Sequence, residues 1–124
     1  ASSAGLVLSV EVLKASGLRN TDRGLFRRSG DCSDPYAVVS AGGRKLWTKT
    51  IDNDLNPVWN AEAFSFTLGA AERSFNIEVF DSDLLTFDDS LGKVSVDIGK
   101  LATGKWLTQK ESLGQGNGTI EFKV

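Results

Sequence analysis

Aspartates are concentrated in two short stretches of this chain, and their number points to a cation site. They are Asp22, Asp31 and Asp34 in the first stretch and Asp81, Asp83, Asp88 and Asp89 in the second. On one surface, two carboxylates roughly 4 Å apart repel by about 4 kcal/mol at an effective dielectric constant of about 20. Ca²⁺ relieves such repulsion, because it is a hard cation that takes about six to eight oxygen ligands. An all-oxygen cluster without histidine suits Ca²⁺ better than zinc.

The second stretch is not an EF-hand loop, although it is rich in carboxylates. Counted from Asp81, the glycine and the closing glutamate of that motif are replaced by Thr86 and Gly92. Strand alternation predicts instead that Asp81 and Asp83 share a face and can chelate together. The alternative interpretation is that each aspartate is a solvated turn former. A glycosidase is disfavoured, because nothing indicates a carboxylate set in an apolar pocket.

Composition excludes several functional classes. The 124 residues match about one domain, and we expect a single domain over 1–124, cut from a larger protein because Met is absent. With no histidine, the commonest general base is missing, and the net charge of −2 argues against nucleic-acid binding. Cys32 is the only cysteine, which is consistent with a reducing, cytoplasmic location. No apolar run approaches the roughly 20 residues that span a bilayer, so we expect any membrane contact to be peripheral.

Hydrophobic residues alternate with a period of two along most of the chain, which predicts strands. The pattern gives eight short strands, with the third over 44–50 and the seventh beginning at Trp106. Short, regularly spaced strands favour an all-β fold, an eight-stranded antiparallel β-sandwich. Because strand direction alternates, the connections over 15–35, 51–61 and 81–90 are expected at one end of it.

Four motifs now identify a family resemblance. They are Ser33-Asp34-Pro35-Tyr36, Leu55-Asn56-Pro57-Val58-Trp59-Asn60, Phe80-Asp81-Ser82-Asp83 and Asp89-Ser90-Leu91-Gly92. In order and spacing they resemble the C2 domain, the calcium- and phospholipid-binding module of protein kinase C and the synaptotagmins, over essentially the whole chain. The strand order resembles the type II topology, in which the edge strand comes last.

The resemblance implies a set of calcium ligands. Asp34, Asp81, Asp83 and Asp89 match ligand positions, and Thr86 falls where the family often has a hydroxyl near the outer ion. Asp88 precedes the matching aspartate and is expected to face solvent. The resemblance does not decide which residue of the first connection is a further ligand. Asp22 fits the spacing counted from Leu18, and Asp31 is the alternative.

Apolar and basic residues accompany the aspartates. We predict that Leu25 and Phe26, with Leu84, Leu85 and Phe87, enter the membrane, and that Arg23, Arg27 and Arg28 contact headgroups. The alternative is that Leu25 and Phe26 fold back on the sandwich.

A second lipid site is also predicted on the third strand. Some family members bind phosphoinositides through lysines in this region, and Arg44, Lys45 and Lys49 are present here. Trp47 interrupts them, as packing or as a headgroup contact, and a solvated strand face is the alternative.

Taken together, the sequence predicts a non-catalytic module for signalling or trafficking. It would bind anionic phospholipid when Ca²⁺ rises and recruit its parent protein to the membrane. Phosphoinositides and a protein are further candidate partners, and we expect the isolated domain to be a monomer. The alternative is a calcium-independent protein-interaction module of the same fold.

Overall fold

Eight β-strands make up nearly all the regular structure of the described residues. The structure is a computed structural model and describes residues 6–18, 34–69, 72–82, 88–101, 104, 106–114 and 118–124. The strands are β1 Leu6–Ser16, β2 Pro35–Ala41, β3 Arg44–Trp47, β4 Phe64–Leu68, β5 Ser74–Asp81, β6 Asp89–Asp97, β7 Thr108–Ser112 and β8 Thr119–Lys123. A 3-10 turn, Ile98–Lys100, follows β6.

The strands form two antiparallel sheets that face each other across one hydrophobic core. One sheet has the order β4-β1-β8-β7 and the other the order β3-β2-β5-β6. Strand alternation sends every second side chain inward, so the buried residues include Val10, Val39 and Ile77. The rings of Phe75 and Phe122 meet edge to face between the sheets, with centroids 6.2 Å apart. Burial of each such side chain stabilises the fold by about 1.5–3 kcal/mol.

This architecture confirms the predicted eight-stranded antiparallel sandwich, whereas type II topology stays a prediction. No helix among the described residues is long and apolar enough to cross a membrane.

Three connections meet at one end of the sandwich, as the alternation of strand direction requires. Leu18 N donates to Leu55 O at 3.0 Å, which joins the first connection to the third. Ser82 N donates to Asp34 O at 3.0 Å, which joins the fifth connection to the first. We call this end the rim: residues 17–18, 34–36, 48–63, 80–82 and 88–90 of the described chain.

Strand β3 ends three residues earlier than the sequence pattern predicts, because the Thr48 side chain, and not a backbone carbonyl, accepts the next hydrogen bond from β2. Ala37 N donates to the Thr48 hydroxyl oxygen, and Thr48 N donates to Ala37 O, both at 2.9 Å. Thr48 is therefore buried although it is polar. Similarly, β7 begins at Thr108 and not at Trp106, although Leu107 still exchanges two backbone hydrogen bonds with Val124.

A β-bulge shapes the beginning of β6. Val79 pairs with Gly92 but Phe80 pairs with Ser90, so Leu91 is an extra residue, and it is fully buried. Gly92 has a φ of +132°, and a Cβ atom there would lie 2.4 Å from Leu113 O in the loop after β7. The glycine of the Asp89-Ser90-Leu91-Gly92 motif is therefore required by backbone geometry and by the close approach of the other sheet.

Candidate functional site

Asp34 and Asp81 lie side by side at the rim, in the centre of the sheet formed by β3, β2, β5 and β6. Asp34 directly precedes β2, Asp81 is the last residue of β5, and Pro35 pairs with Asp81 in the ladder. Asp34 N donates to Asp81 Oδ1 at 2.8 Å. Asp81 is 6% exposed, which is unusual for a carboxylate, since burial of a charge is costly without polar partners. The pairing of β2 with β5 thus brings together two predicted ligands that are 47 residues apart.

The third connection holds the Asp34 carboxylate in place. Asn53 N donates to Asp34 Oδ1 at 2.6 Å. Asn53 has a φ of +56°, a left-handed conformation that asparagine tolerates better than most residues. This contact was not predicted from the sequence. The run Asp52-Asn53-Asp54 does signal a tight turn, but no pattern indicates which side chain that turn contacts.

The beginning of β6 brings a third predicted ligand position to the same place. Asp89 pairs with Asp81 in the backbone register of β5 and β6. Asp88 is exposed, as expected, but its carboxylate is engaged: the Tyr36 hydroxyl donates to Asp88 Oδ2 at 2.5 Å. The ladder therefore aligns the 34–36, 80–82 and 88–90 segments at the rim.

Tyr36 is a residue of this region to which sequence analysis gave no role. Its ring stacks on Phe80, with centroids 5.6 Å apart and an interplanar angle of 22°. Partial burial, together with the hydrogen bond to Asp88 and the negative charge of that carboxylate, raises the pKa of the Tyr36 phenol to about 12. The phenol therefore remains protonated, and able to donate, throughout the neutral range. The tyrosine stood in the quoted family motif, which was the available signal, but its partner lies 52 residues away.

Many of the predicted site residues lie outside the described residues. These are the ligand candidates Asp22, Asp31, Asp83 and Thr86, the apolar Leu25, Phe26, Leu84, Leu85 and Phe87, and the basic Arg23, Arg27 and Arg28. Within the described part of the chain, no three acidic, cysteine or histidine side chains are grouped closely enough to hold a metal.

The described carboxylates nevertheless fit the chemistry of Ca²⁺. Asp34 and Asp81 offer oxygen ligands only, and each has its Oδ1 atom fixed by a backbone N–H. A hard cation prefers such oxygens, and a carboxylate whose orientation is already fixed loses less conformational entropy on binding.

The basic residues of the second predicted lipid site are all accessible. Arg44, Lys45 and Lys49 are exposed, and Trp47 is 65% exposed, which excludes core packing for this ring. Trp47 pairs with Val38, so it shares the outer face of the sheet with Tyr36. Lys45 pairs with Ser40 and so lies on this outer face too, whereas Arg44 pairs with the buried Ala41 at the end of β3 that is farther from the rim.

Comparison with known proteins agrees with this architecture. The model of a family described as "C2 domain" matches residues 6–113. Protein C2-DOMAIN ABA-RELATED 11 of Arabidopsis thaliana is 38% identical over 96 residues, which cover 77% of this chain and 57% of the plant protein. Cytosolic phospholipase A2 delta of Mus musculus is 34% identical over 122 residues, which cover 94% of this chain but 14% of the mouse protein.

Solved structures give the same result. Human GIVD cytosolic phospholipase A2 superimposes with a TM-score of 0.83 at 32% identity, over 99% of this chain and 16% of that one. A calcium-bound structure of two C2 domains of Extended-Synaptotagmin 2 superimposes with a TM-score of 0.83 at 24% identity, over 99% of this chain and 46% of that one, which bears on the fold alone. The chain therefore spans between a seventh and three fifths of the two relatives named above.

Proposed function

The chain belongs to the C2 domain family, and from this premise we propose that it is a calcium-dependent module for binding anionic phospholipid. The observation that supports the proposal best is the pairing of Asp34 with the buried Asp81 at the rim. Asp81 is only 6% exposed, and a buried negative charge is costly unless polar partners or a cation offset it. We attribute that arrangement to metal binding.

The proposed ligands are Asp34, Asp81, Asp83 and Asp89, with Asp22 or Asp31 completing the set from the first connection and Thr86 near an outer ion. Bound Ca²⁺ would supply positive charge at the rim and share its coordination sphere with lipid phosphate. Before calcium binds, the acidic rim repels an anionic surface, so the aspartates act as an electrostatic switch. We propose that the domain is cytoplasmic and associates with membranes when Ca²⁺ rises.

Apolar side chains would add to membrane affinity once the charge is neutralised. We propose that Leu84, Leu85 and Phe87 in the fifth connection, with Leu25 and Phe26 in the first, enter the interface. Each buried side chain contributes about 1.5–3 kcal/mol. Arg23, Arg27 and Arg28 would contact headgroups, and a cation near an anionic surface contributes about 1 kcal/mol.

We propose Arg44, Lys45 and Lys49 as a second, weaker lipid contact. Their exposure supports it, as does the place of Lys49 in the connection at the rim, although Arg44 and Lys45 begin β3 at its other end. Trp47 lies between the two lysines, and indole rings favour the headgroup level of a bilayer.

No catalysis is proposed for this chain. It spans only 14% of mouse cytosolic phospholipase A2 delta, and that protein's name does not assign hydrolysis to the matched part. The proposed role is therefore to recruit whatever protein carries the domain.

Two measurements on the purified 124-residue chain test the proposal. Calorimetric titration of the chelator-treated domain with CaCl₂ should show saturable binding. Sedimentation with phosphatidylserine-containing vesicles should show binding in CaCl₂ that is lost in EGTA and absent with phosphatidylcholine alone.

The variant Asp81→Asn/Asp83→Asn should lose calcium-dependent sedimentation. Glu72→Gln is the matched control, because Glu72 is an exposed carboxylate in the connection before β5, at the opposite end of the sandwich. A silent titration, or equal sedimentation in CaCl₂ and EGTA, would overturn the proposal and favour a calcium-independent protein-interaction module.

A further inference from the structure

Both ends of the fifth connection are hydrogen-bonded to residues at the start of β2, namely Asp34 just before the strand and Tyr36 within it. At its beginning, Ser82 N donates to Asp34 O at 3.0 Å, and Asp34 N donates to Asp81 Oδ1 at 2.8 Å. At its end, the Tyr36 hydroxyl donates to Asp88 Oδ2 at 2.5 Å. One short segment, 34–36, therefore fixes the residues on either side of 83–87.

The second tie reaches across an intervening strand. Tyr36 of β2 pairs with Phe80 of β5, and Phe80 pairs in turn with Ser90 of β6. Two strand spacings separate Tyr36 from Ser90, or roughly 9.5 Å. The long phenol bridges most of this distance because it lies flat on the Phe80 ring, with an interplanar angle of 22°. The side chain of Asp88, two residues before Ser90, covers the remaining distance to the Tyr36 hydroxyl.

We propose that Tyr36 is a positioning residue for the calcium site, acting through its hydrogen bond to Asp88. The inference rests on the proposed calcium function. Asp88 adjoins Asp89, whose backbone pairs with that of Asp81. A fixed Asp88 therefore holds the chain where it enters β6 and keeps one proposed ligand position aligned with another before the ion arrives. In this proposal Tyr36 does not itself bind the metal.

The stacking of Tyr36 on Phe80 allows a specific substitution. Tyr36→Phe removes the donor hydroxyl and retains the ring that lies on Phe80. Asp88→Ala removes the acceptor together with its charge. The two changes act on one hydrogen bond, so their effects on calcium affinity should not add in the double variant.

The experiment is a double-mutant cycle measured by calorimetric titration with CaCl₂. Loss of a residue that orients a metal ligand typically weakens metal affinity by 10–100-fold, and we expect about tenfold for Tyr36→Phe. Asp88→Ala should weaken affinity at least as much, because it also removes a negative charge. The double variant should bind no more weakly than Asp88→Ala alone.

Ser95→Ala is the matched control. The Ser95 hydroxyl donates to Asn76 Oδ1 on the same outer face of this sheet, but the bond joins β6 to β5 and lies farther from the rim. Its loss should leave calcium affinity unchanged. Hydrogen exchange in EGTA gives an independent readout, because Tyr36→Phe should speed exchange at residues 88–90 and Ser95→Ala should not.

Each outcome is decisive. If the wild-type chain takes up no calcium, the proposed function and this inference both fall. If the wild type binds calcium and Tyr36→Phe binds it with the same affinity, only the positioning role is overturned. The role is also overturned if Tyr36→Phe lowers the midpoint of thermal unfolding while both calcium affinity and exchange at 88–90 stay unchanged, since that is the behaviour of a purely structural residue.

Discussion

The backbone N–H of Asp34 donates a 2.8 Å hydrogen bond to Oδ1 of Asp81 and so joins the start of β2 to the end of β5. The same Asp81 carboxylate is proposed to bind Ca²⁺, so it would both stabilise the fold and hold the metal. Two substitutions distinguish these roles, because asparagine keeps an oxygen that can accept the hydrogen bond and alanine does not.

Asp81→Asn should abolish calcium binding and leave the calcium-free fold nearly as stable as the wild type. Asp81→Ala should also lower the free energy of unfolding by about 1–3 kcal/mol, because the partly buried Asp34 N–H loses its acceptor. Urea denaturation in EGTA measures the free energy of unfolding of both variants. Equal stability of the two variants would show that the hydrogen bond contributes nothing measurable.

Leu85→Ala and Phe87→Ala should weaken binding to phosphatidylserine vesicles at saturating calcium by at least about tenfold each, because an interfacial side chain is lost. Calcium affinity without lipid should not change, since neither side chain carries a ligand oxygen. The control is Val7→Ala, an apolar residue that is 62% exposed at the opposite end of the sandwich. Vesicle binding that Val7→Ala weakens to the same extent would contradict insertion of the fifth connection.

Phenol ionisation should report on the contact between Tyr36 and Asp88. The pKa of Tyr36 is raised from about 10 to about 12, so the folded state favours the protonated phenol. Its contribution to stability is therefore fully present below about pH 10 and is lost as the pH rises towards 12. Ultraviolet absorbance in EGTA measures the ionisation directly, because Tyr36 is the only tyrosine.

Asp88→Asn should move this ionisation part of the way back towards pH 10. The shift should be incomplete, because burial, the largest cause, remains. Identical titration curves for wild type and Asp88→Asn would mean that the carboxylate does not perturb the phenol.

Gly92→Ala should be strongly destabilising, and Gly43→Ala only mildly so. Both glycines have positive φ, +132° and +78°, so alanine at either position strains the backbone by roughly 1–3 kcal/mol. At Gly92 the new Cβ would also lie 2.4 Å from Leu113 O, whereas nothing lies within 4 Å at Gly43. Chemical denaturation compares the two, and equal losses would show that the contact with Leu113 is relieved without cost.

Lys45→Ala/Lys49→Ala should weaken binding to anionic vesicles by about fivefold per lysine at low salt, and less at high salt. Calcium affinity should be unaffected. Lys110→Ala/Lys123→Ala removes the same charge from the other sheet and serves as the control. Equal losses in the two double variants would indicate a general effect of net charge rather than a second lipid site.

Much of the architecture could be predicted because alternation reports burial directly. In β2, the residues from Pro35 to Ala41 are alternately buried and half-buried, as the period of two requires. Motif spacing also placed Asp34 and Asp81 together. The assignment of Asp22, Asp31, Asp83 and Thr86 stays a prediction, since they lie outside the described residues.

What could not be predicted depends on register and on contacts between sheets. The contact of Tyr36 with Asp88 requires the pairing across β5 and the bulge at Leu91, and no local pattern specifies either. The end of β3 depends on whether the Thr48 hydroxyl replaces a backbone group. The need for glycine at 92 arises from Leu113, which lies 21 positions further along the chain.

The hydrogen bonds between residues 34–36 and the two ends of the fifth connection also bear on how such a domain could be re-engineered. Asp34 and Tyr36, which hydrogen-bond to Asp81 and Asp88, lie outside the 83–87 segment, so we expect that segment to tolerate replacement. A different five-residue insert between Ser82 and Asp88 would inherit the same anchorage, although it would have to supply its own counterpart of Asp83. Membrane preference could then diversify by replacement of the insert while the scaffold sequence stays constant.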